Sequence, residues 1–399
     1  MKRLCLVLVM AILAMGLVFA GGAKESTSNG PVALKVWGAQ EDQALLAEII
    51  EGFKAANPGV EYNIELAVVS EADAKSRYLE DPAAAADVFA FANDQLKDLV
   101  KAGALYEIAG KYKETVAKEN GAGAVGACSI GESLYAFPMT ADNGYFMYYD
   151  KSVFTEKDVE SLDAMLAAAD KAGKKVFMDL SNGWYIASFF LGAGGNLSLD
   201  ANEKQTCDFN NANGIAAGEA IKAFAAHPAF LTGDDAVLTG GMGTIIAAGV
   251  SGTWNKNAIM EKLGDNYAAC KLPTFTLNGK QVQMSSFAGY KQIGVNKLTA
   301  QPVEAMKLAA WITNEENQLK RFVARGNGPA NVNAANSDAV KADPALAALS
   351  VQSAYAVSQN DVLGNYWSPS EAFGAAMEAK DYSKSIKELL DAMVEQIIQ

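Results

Sequence analysis

The stretch Ser133-Leu-Tyr-Ala-Phe-Pro-Met-Thr-Ala-Asp-Asn-Gly-Tyr-Phe-Met-Tyr-Tyr-Asp150 decides the fold that we expect. Its two ends have strand signals, because apolar positions alternate over Leu134–Met139 and aromatic residues with one Met fill Tyr145–Tyr149. The middle, Thr140–Gly144, is polar and ends in glycine, which predicts that the chain turns or loosens there. A short polar joint between strands of two sheets is typical of a hinge between lobes, since a few residues absorb the dihedral change. The stretch therefore predicts a hinge at the bottom of a cleft.

Length and composition agree with two lobes. The chain has 399 residues, of which 50% are hydrophobic, and this length exceeds the size at which one core usually stops growing. Its formal net charge is −13, which argues against nucleic acid as a partner because that ligand requires a basic face. Cys128, Cys207 and Cys270 lie beyond the N-terminal region, and this odd number predicts free thiols rather than a disulfide framework.

The first 20 residues have the pattern of a secretory signal peptide. Lys2 and Arg3 precede the apolar run Leu4–Leu17, and Val18-Phe-Ala20 is a suitable cleavage site. The alternative is an uncleaved membrane anchor, but the apolar run is shorter than the roughly 20 residues that a span requires. No cysteine lies at the cleavage point, where Gly21 follows Ala20, which disfavours a lipid anchor. We expect a periplasmic protein with a signal peptide at residues 1–20.

The chain then alternates strands and helices. Ala33–Val36 predicts a buried strand, Glu41–Ala56 an amphipathic helix and Val60–Leu66 a second strand, which together form a right-handed parallel unit. Asp87–Phe91 predicts another buried strand, followed by a helix capped by Asn93 or Asp94. This order places residues 91–94 at the carboxyl edge of a parallel sheet, where open α/β sheets bind ligands.

Later segments supply the second lobe and two further crossings. Asn278-Gly279 predicts a hairpin, Phe287–Asn296 a strand that returns to the first lobe, and Gly326–Pro329 a third crossing. We therefore expect the first lobe over residues 21–139 and 289–328, and the second lobe over residues 140–288. The C-terminal helical segment, residues 329–399, is assigned mainly to the second lobe.

The order of these elements resembles the extracellular solute-binding proteins of ABC importers, and among them the binders of maltodextrins and other oligosaccharides. The resemblance spans nearly the whole mature chain. It is carried by Leu34–Trp37, by Ala86–Asp94 with Ala102–Leu105, by Leu134–Pro138, by Tyr148–Lys151, by Gly252–Trp254 and by Pro273–Phe275. It implies an α/β fold of the type II periplasmic-binding-protein class, with two lobes joined by crossing strands and a ligand cleft between them. It also implies membrane permease subunits as partners, no cofactor, and a monomer.

Positions in these motifs carry over as candidate ligand contacts: Glu41, Phe91 and Asp94 on the first lobe, Asp142 or Asn143 at the cleft floor, and Trp184 and Trp254 on the second lobe. Trp367 is a further candidate from its own position, in the polar break over residues 360–370. The basic residues that maltose binders supply from the first lobe are not matched, because Asp42 follows Glu41 and Gln95 follows Asp94. The departure weakens the case for maltose itself more than the case for a carbohydrate.

The residue types also fit a sugar by their own chemistry. Aromatic planes cover the apolar C–H faces of a pyranose, and fixed carboxylate and amide oxygens accept its hydroxyl protons. Trp184 and Trp254 each follow polar residues at a helix start, which favours a site, whereas Trp37 and Trp311 lie in apolar patterns typical of a core.

Two other functions are compatible with parts of the sequence. An acidic, aromatic cleft also suits a polyamine, and a glycosidase requires only two carboxylates. The common hydrolase and metal motifs are absent, and His227 is the only histidine. We therefore expect a binding protein rather than an enzyme.

Overall fold

The computed structural model describes residues 30–399, so the signal peptide predicted at residues 1–20 lies outside the described part. The strands, β1 to β17 in chain order, are Val32–Gly38, Tyr62–Val68, Val88–Ala92, Ser129–Ile130, Ser133–Leu134, Ala136–Gly144, Phe146–Asp150, Lys175–Phe177, Leu197–Leu199, Gln205–Cys207, Phe230–Leu231, Ile246–Ser251, Tyr267–Cys270, Thr274–Leu277, Lys280–Gln283, Ser286–Val295 and Ala356–Ser358.

The α-helices are numbered in the same way. In chain order, α1 to α17 are Gln43–Ala56, Ala74–Glu80, Leu96–Lys101, Gly110–Glu119, Ala122–Ala127, Leu162–Lys171, Gly183–Gly192, Ala212–Ala226, Asp235–Gly241, Lys256–Leu263, Pro302–Ile312, Glu315–Arg325, Val332–Ala335, Asp338–Lys341, Pro344–Ser353, Trp367–Glu378 and Ile386–Ile397. No helix among residues 30–399 is long and apolar enough to cross a bilayer.

The first sheet has the order β17-β16-β3-β1-β2, and a sixth strand, β6, also pairs with β16. Strands β1, β2 and β3 are parallel, and the helix predicted between β1 and β2 is α1. Its apolar stripe, which includes Leu46, Ile49 and Phe53, is buried against this sheet. The parallel unit predicted from sequence is confirmed, and it points the carboxyl ends of β1 and β3 toward one edge.

The second sheet has the order β11-β8-β12-β7-β13 and carries its own core. Helix α7 contributes Ile186, Phe189 and Phe190 to this core, and all three are almost fully buried. The predicted hairpin is present: β14 and β15 are antiparallel around Asn278 and Gly279, both of which have positive φ. Two sheets with separate cores make the molecule two-lobed.

The crossing between the lobes differs from the expected turn. Strand β6 continues through Thr140–Gly144 and pairs with β16 in the first sheet, whereas β7 belongs to the second sheet, so the chain changes sheet at Tyr145. The predicted turn at Thr140–Gly144 is therefore wrong. The polar residues stay extended because β16 supplies a paired strand for them, with irregular register between Gly289 and Gln292.

The C-terminal segment contacts both lobes. Strand β17 pairs with β16 in the first sheet, whereas Phe373 of α16 and Leu390 of α17 are buried in the core of the second lobe. The third expected crossing lies beside the first, since the Ala141 amide donates to the Gly328 carbonyl at 2.9 Å. The described cysteines 128, 207 and 270 are unpaired, and burial raises the pKa of the Cys128 thiol well above its usual value.

Candidate functional site

A cavity of about 520 Å³ opens where the carboxyl edge of the first sheet faces helix starts of the second lobe. Six of the seven side chains predicted to contact a ligand line it: Glu41, Asp94, Asn143, Trp184, Trp254 and Trp367. The seventh, Phe91, does not. Its ring is fully buried in the first core, 5.6 Å from the Phe89 ring centre, so its assignment to the cleft is corrected. Strand β3 is buried along its whole length, and Phe91 points into this core.

Trp184 lies at the first turn of α7. The Asn182 side chain caps this helix by accepting a hydrogen bond from the Trp184 amide at 3.0 Å. Gly183 allows the start of α16 to approach, because a Cβ there would lie 3.2 Å from the Trp367 carbonyl. The lack of a side chain at Gly183 thus brings Trp184 and Trp367 to the same wall.

Trp254 follows β12 in a short 3₁₀ turn, Thr253–Asn255. Its ring folds back over Gly252, where an added Cβ would lie 1.9 Å from the ring, so only glycine permits this position. The indole Nε1 donates to Asp235 at 3.0 Å. The Trp184 and Trp254 ring centres are 5.8 Å apart at an angle of 40°, which gives one bent aromatic wall.

Two tyrosines at the start of the second sheet hold these segments. The Tyr145 hydroxyl donates to the Trp184 carbonyl at 2.7 Å, and the Tyr148 hydroxyl donates to the Gly252 carbonyl at 3.0 Å. Both tyrosines are fully buried, and burial raises the pKa of each phenol well above its usual value. The strand that leaves the crossing therefore fixes the backbone of both tryptophan-bearing turns.

Carboxylates line both sides of the cavity: Glu41, Glu71, Asp73 and Asp94 on the side of the first lobe, and Asp235 and Glu371 on the side of the tryptophans. The only cationic side chain that lines it among the described residues is Lys291. Of these charged side chains, the sequence analysis had identified only Glu41 and Asp94. Lys291 lies within a strand predicted as a crossing, and no local signal distinguishes it from a lysine at the surface.

Asp94 is part of a hydrogen-bonded chain that links the two lobes. Gln359 donates from Nε2 to Asp94 Oδ1 at 2.9 Å, and its Oε1 accepts from Trp184 Nε1 at 2.8 Å. Burial raises the pKa of Asp94 to about 6, although Lys75 and the Gln359 hydrogen bond favour the carboxylate. Gln359, which the sequence analysis had not named, thus places an acceptor and an aromatic platform across the cleft from each other.

The sequence analysis left open whether Asp142 or Asn143 lies at the cleft floor, and the orientation of the two side chains decides between them. Asn143 lines the cavity, whereas Asp142 is buried behind it. Asp142 Oδ2 accepts from the Thr253 hydroxyl, from Asn327 Nδ2 at 3.1 Å and from the Gly328 amide at 2.7 Å. This carboxylate joins two crossings to the turn that carries Trp254.

The two residues that depart from the maltose-binder pattern have structural roles. Asp42 is buried in ion pairs with Arg321 and Arg325. Burial opposes its charge, but these arginines hold the pKa of Asp42 below its usual value. Gln95 donates to the Glu71 and Ala72 carbonyls at 2.7 and 2.8 Å, which fixes the loop that carries Glu71.

Two lobes joined by crossing segments, with one cleft lined by tryptophans and carboxylates, define a two-lobed binding protein. The model of the bacterial extracellular solute-binding protein family matches residues 48–348, and the chain belongs to this family. A galactooligosaccharide-binding protein of Bacillus subtilis (strain 168) is 26% identical over 394 residues, which cover 92% of this chain and 89% of that protein.

Solved structures share the fold over nearly the whole chain. One determined with acarbose is 33% identical, with a TM-score of 0.85, and the match covers 92% of this chain and 99% of that one. The maltodextrin binding protein MalE1 from L. casei BL23, solved without ligand, is 26% identical with a TM-score of 0.77, and the match covers 93% and 100%. The predicted two-lobed fold and the predicted class of solute-binding protein are confirmed.

Proposed function

We propose that this protein binds an oligosaccharide in the cleft and delivers it to the membrane permease of an ABC importer. The observation that carries the proposal is the convergence of three tryptophans and several carboxylate and amide oxygens from both lobes on one cavity of about 520 Å³. Aromatic faces and hydroxyl acceptors in one cavity suit a pyranose better than an anion or a flat cofactor.

The contacts in the cleft supply a binding free energy of the size that a transport protein requires. Covering about 150 Å² of a tryptophan face at about 25 cal/mol per Å² contributes roughly 3–4 kcal/mol. Two such platforms together contribute roughly 6–8 kcal/mol. Hydrogen bonds to the sugar hydroxyls offset the costs of association and closure, so the total is compatible with a micromolar complex, whose free energy of binding is about −8 kcal/mol. Acceptors matched to hydroxyls then discriminate between sugars, because a wrong sugar leaves them unpaired.

The similar proteins support the carbohydrate class. The Bacillus subtilis relative is named for galactooligosaccharides, the L. casei protein for maltodextrin, and a third structure was determined with acarbose. These ligands differ in linkage but share several linked rings. We therefore propose an oligosaccharide, with malto-oligosaccharides as the first to test.

A polyamine is the second candidate, and the six carboxylates of the cavity favour it. Lys291 opposes it, since its ammonium faces the same space and repels a cationic ligand. We place the polyamine second for this reason.

We propose no catalytic role. The single histidine, His227, follows α8, and its Nδ1 accepts a hydrogen bond from the Ala229 amide at 3.1 Å. It does not line the cavity. Two of the cleft carboxylates could serve a glycosidase, so turnover of maltotriose by the purified protein would overturn this part of the proposal.

The experiment is a thermal-shift screen followed by calorimetry, with maltotriose, acarbose, a galactooligosaccharide mixture and spermidine. We expect stabilisation and binding heat with at least one of the sugars. Heat with spermidine alone would reject the carbohydrate and establish the second candidate.

We also propose that the protein is exported as a monomer through cleavage after Ala20, without a lipid anchor. Mass spectrometry of the mature protein would then find Gly21 at its N-terminus, and light scattering would give the mass of one chain. A mature protein that retains residues 1–20 contradicts the cleavage.

A further inference from the structure

Lys291 occupies the centre of the first sheet. Its strand, β16, pairs there with Ala92 of β3 on one side and with Thr140 of β6 on the other. The side chain is 15% exposed and extends into the cavity. Its Nζ atom lies 3.6 Å from Glu71 Oε2 and 5.7 Å from the centre of the Trp254 ring, so one cation contacts residues of both lobes.

The surroundings keep this ammonium charged. Burial disfavours the cation, but the carboxylates of Glu71, Asp42, Asp142 and Glu41 outweigh this effect and raise the pKa of Lys291. The strand fixes the base of the side chain, and Gln95 fixes the loop that carries Glu71. The pair is therefore a rigid, charged part of the cleft rather than a surface ion pair.

The pair leaves hydrogen-bonding capacity unused. An ammonium has three N–H donors and a carboxylate has two acceptor oxygens. Within residues 30–399 the structure records no hydrogen bond from Lys291 Nζ and none to the Glu71 carboxylate, and their separation of 3.6 Å is too long for a direct bond. A donor and an acceptor thus lie side by side in the cavity, with the donor 5.7 Å from the centre of the Trp254 ring.

We propose that Lys291 and Glu71 together recognise two neighbouring hydroxyl groups of the sugar ring that stacks on Trp254, and that this pair determines the specificity of the cleft. The inference rests on the proposed function. One hydroxyl oxygen accepts a hydrogen bond from Lys291, and its neighbour donates its proton to Glu71. A protonated amine offers donors only, so it satisfies Glu71 but is repelled by Lys291.

The test is the change Lys291→Met, which keeps most of the side-chain length and removes the charge. Calorimetry with maltotriose and with spermidine should give opposite results. We expect maltotriose to bind about 10- to 100-fold more weakly, because a charged hydrogen bond is lost and Glu71 is left unpaired. Spermidine should bind more tightly, because the only cation in the lining is removed.

A matched control is Lys97→Met, which removes an ion pair with Asp361 (2.8 Å) outside the cavity lining. It should leave both affinities within about twofold of the wild type. A double variant that combines Lys291→Met with Glu71→Gln completes a double-mutant cycle. The losses of affinity for maltotriose in the two single variants should not be additive in the double variant. A variant that only disturbs the fold would weaken both ligands and lower the melting temperature.

The outcomes separate this inference from the proposed function. If the wild type binds maltotriose and Lys291→Met binds it equally well, the role of Lys291 is rejected and the function stands. If Lys291→Met fails to fold, Glu71→Gln alone decides, and unchanged affinity for maltotriose in that variant also rejects the pair. If the wild type binds spermidine and no sugar, the proposed function fails, and the inference fails with it.

Discussion

At the scale of single residues, the aromatic wall makes the most direct prediction. Trp184→Ala removes one stacking face and the indole N–H that donates a hydrogen bond to Gln359. We expect affinity for maltotriose to fall by more than about tenfold, since the lost face contributes a few kcal/mol. Calorimetry measures the loss.

Trp311→Ala is the control for this change. Trp311 packs against the first core, and its Nε1 donates to the Ile49 carbonyl at 3.0 Å, away from the cavity. This variant should lose stability but keep its affinity. Wild-type affinity in Trp184→Ala would remove Trp184 from the site.

Asp94 predicts a dependence of binding on pH. Its pKa is raised to about 6 by burial, so lowering the pH through 6 protonates the carboxylate that we propose as an acceptor of a hydrogen bond from a sugar hydroxyl. We expect affinity to weaken by about tenfold between pH 7 and pH 5. The stability of the unliganded protein depends on pH with the opposite sign. The folded state binds this proton more tightly than the unfolded chain, so the contribution to stability falls as the pH rises toward 6.

Calorimetry over this pH range tests the assignment. Asp94→Asn should bind more weakly at pH 7 and show a flat profile. A profile that keeps its slope in Asp94→Asn would assign the titration to another group.

The sequence predicted the tryptophans that line the cavity better than it predicted the carboxylates and the lysine that line it. Trp184 and Trp254 stand out because a large aromatic at a polar helix start is unusual in a core. Lys291 does not, since its contacts in the cavity, with Glu71 and the Trp254 ring, are made by residues distant in sequence. The assignment of Phe91 to the cleft was wrong because both faces of the central strand β3 are covered. The position of a residue at the end of such a strand does not say which side chain faces the cleft.

At the scale of elements, the crossings are coupled by a single buried carboxylate. Asp142 of β6 accepts hydrogen bonds from Asn327 and Gly328 of the third crossing and from Thr253 beside Trp254. Asp142→Asn keeps the shape but removes the charge and one acceptor. We expect a melting temperature lower by several degrees and weaker maltotriose binding, because the position of Trp254 is less well fixed.

The matched control is Asp163→Asn. Asp163 also accepts two side-chain hydrogen bonds, from Thr276 at 2.6 Å and Gln281 at 3.1 Å, but it is exposed and far from the crossings. It should leave affinity unchanged. Equal behaviour of the two variants in both calorimetry and thermal melting would show that Asp142 has no special role at the hinge.

Elements with strong local signals were predictable, whereas those defined by pairing were not. The hairpin at Asn278-Gly279 and helix α1 follow from turn chemistry and apolar periodicity. Residues 140–144 have turn composition, yet they form the end of a nine-residue strand because β16 lies beside them. Tertiary pairing decided this segment, and its partner is more than a hundred residues away in sequence.

At the scale of the whole molecule, the two-lobed layout was predictable from length, strand order and family resemblance together. The contacts across the cleft were not, because they join residues distant in sequence. Gln359 connects Asp94 to Trp184, and Lys291 faces the Trp254 ring. Both contacts are made by side chains that a ligand would touch, so ligand binding and the relative position of the lobes are linked.

This linkage predicts that a ligand shifts the population of open and closed forms. A sugar that stacks on the second lobe and accepts from Lys291 of the first lobe gains contacts only when the lobes are close, so it favours the closed form. We expect small-angle X-ray scattering to give a smaller radius of gyration with saturating maltotriose than without it. The Trp184→Ala variant at the same sugar concentration should keep the larger radius. Because closure follows from contacts made by both lobes at once, an unchanged radius at calorimetrically proven saturation would mean that the sugar binds to one lobe alone, and the crossings would then connect the lobes without acting as a hinge.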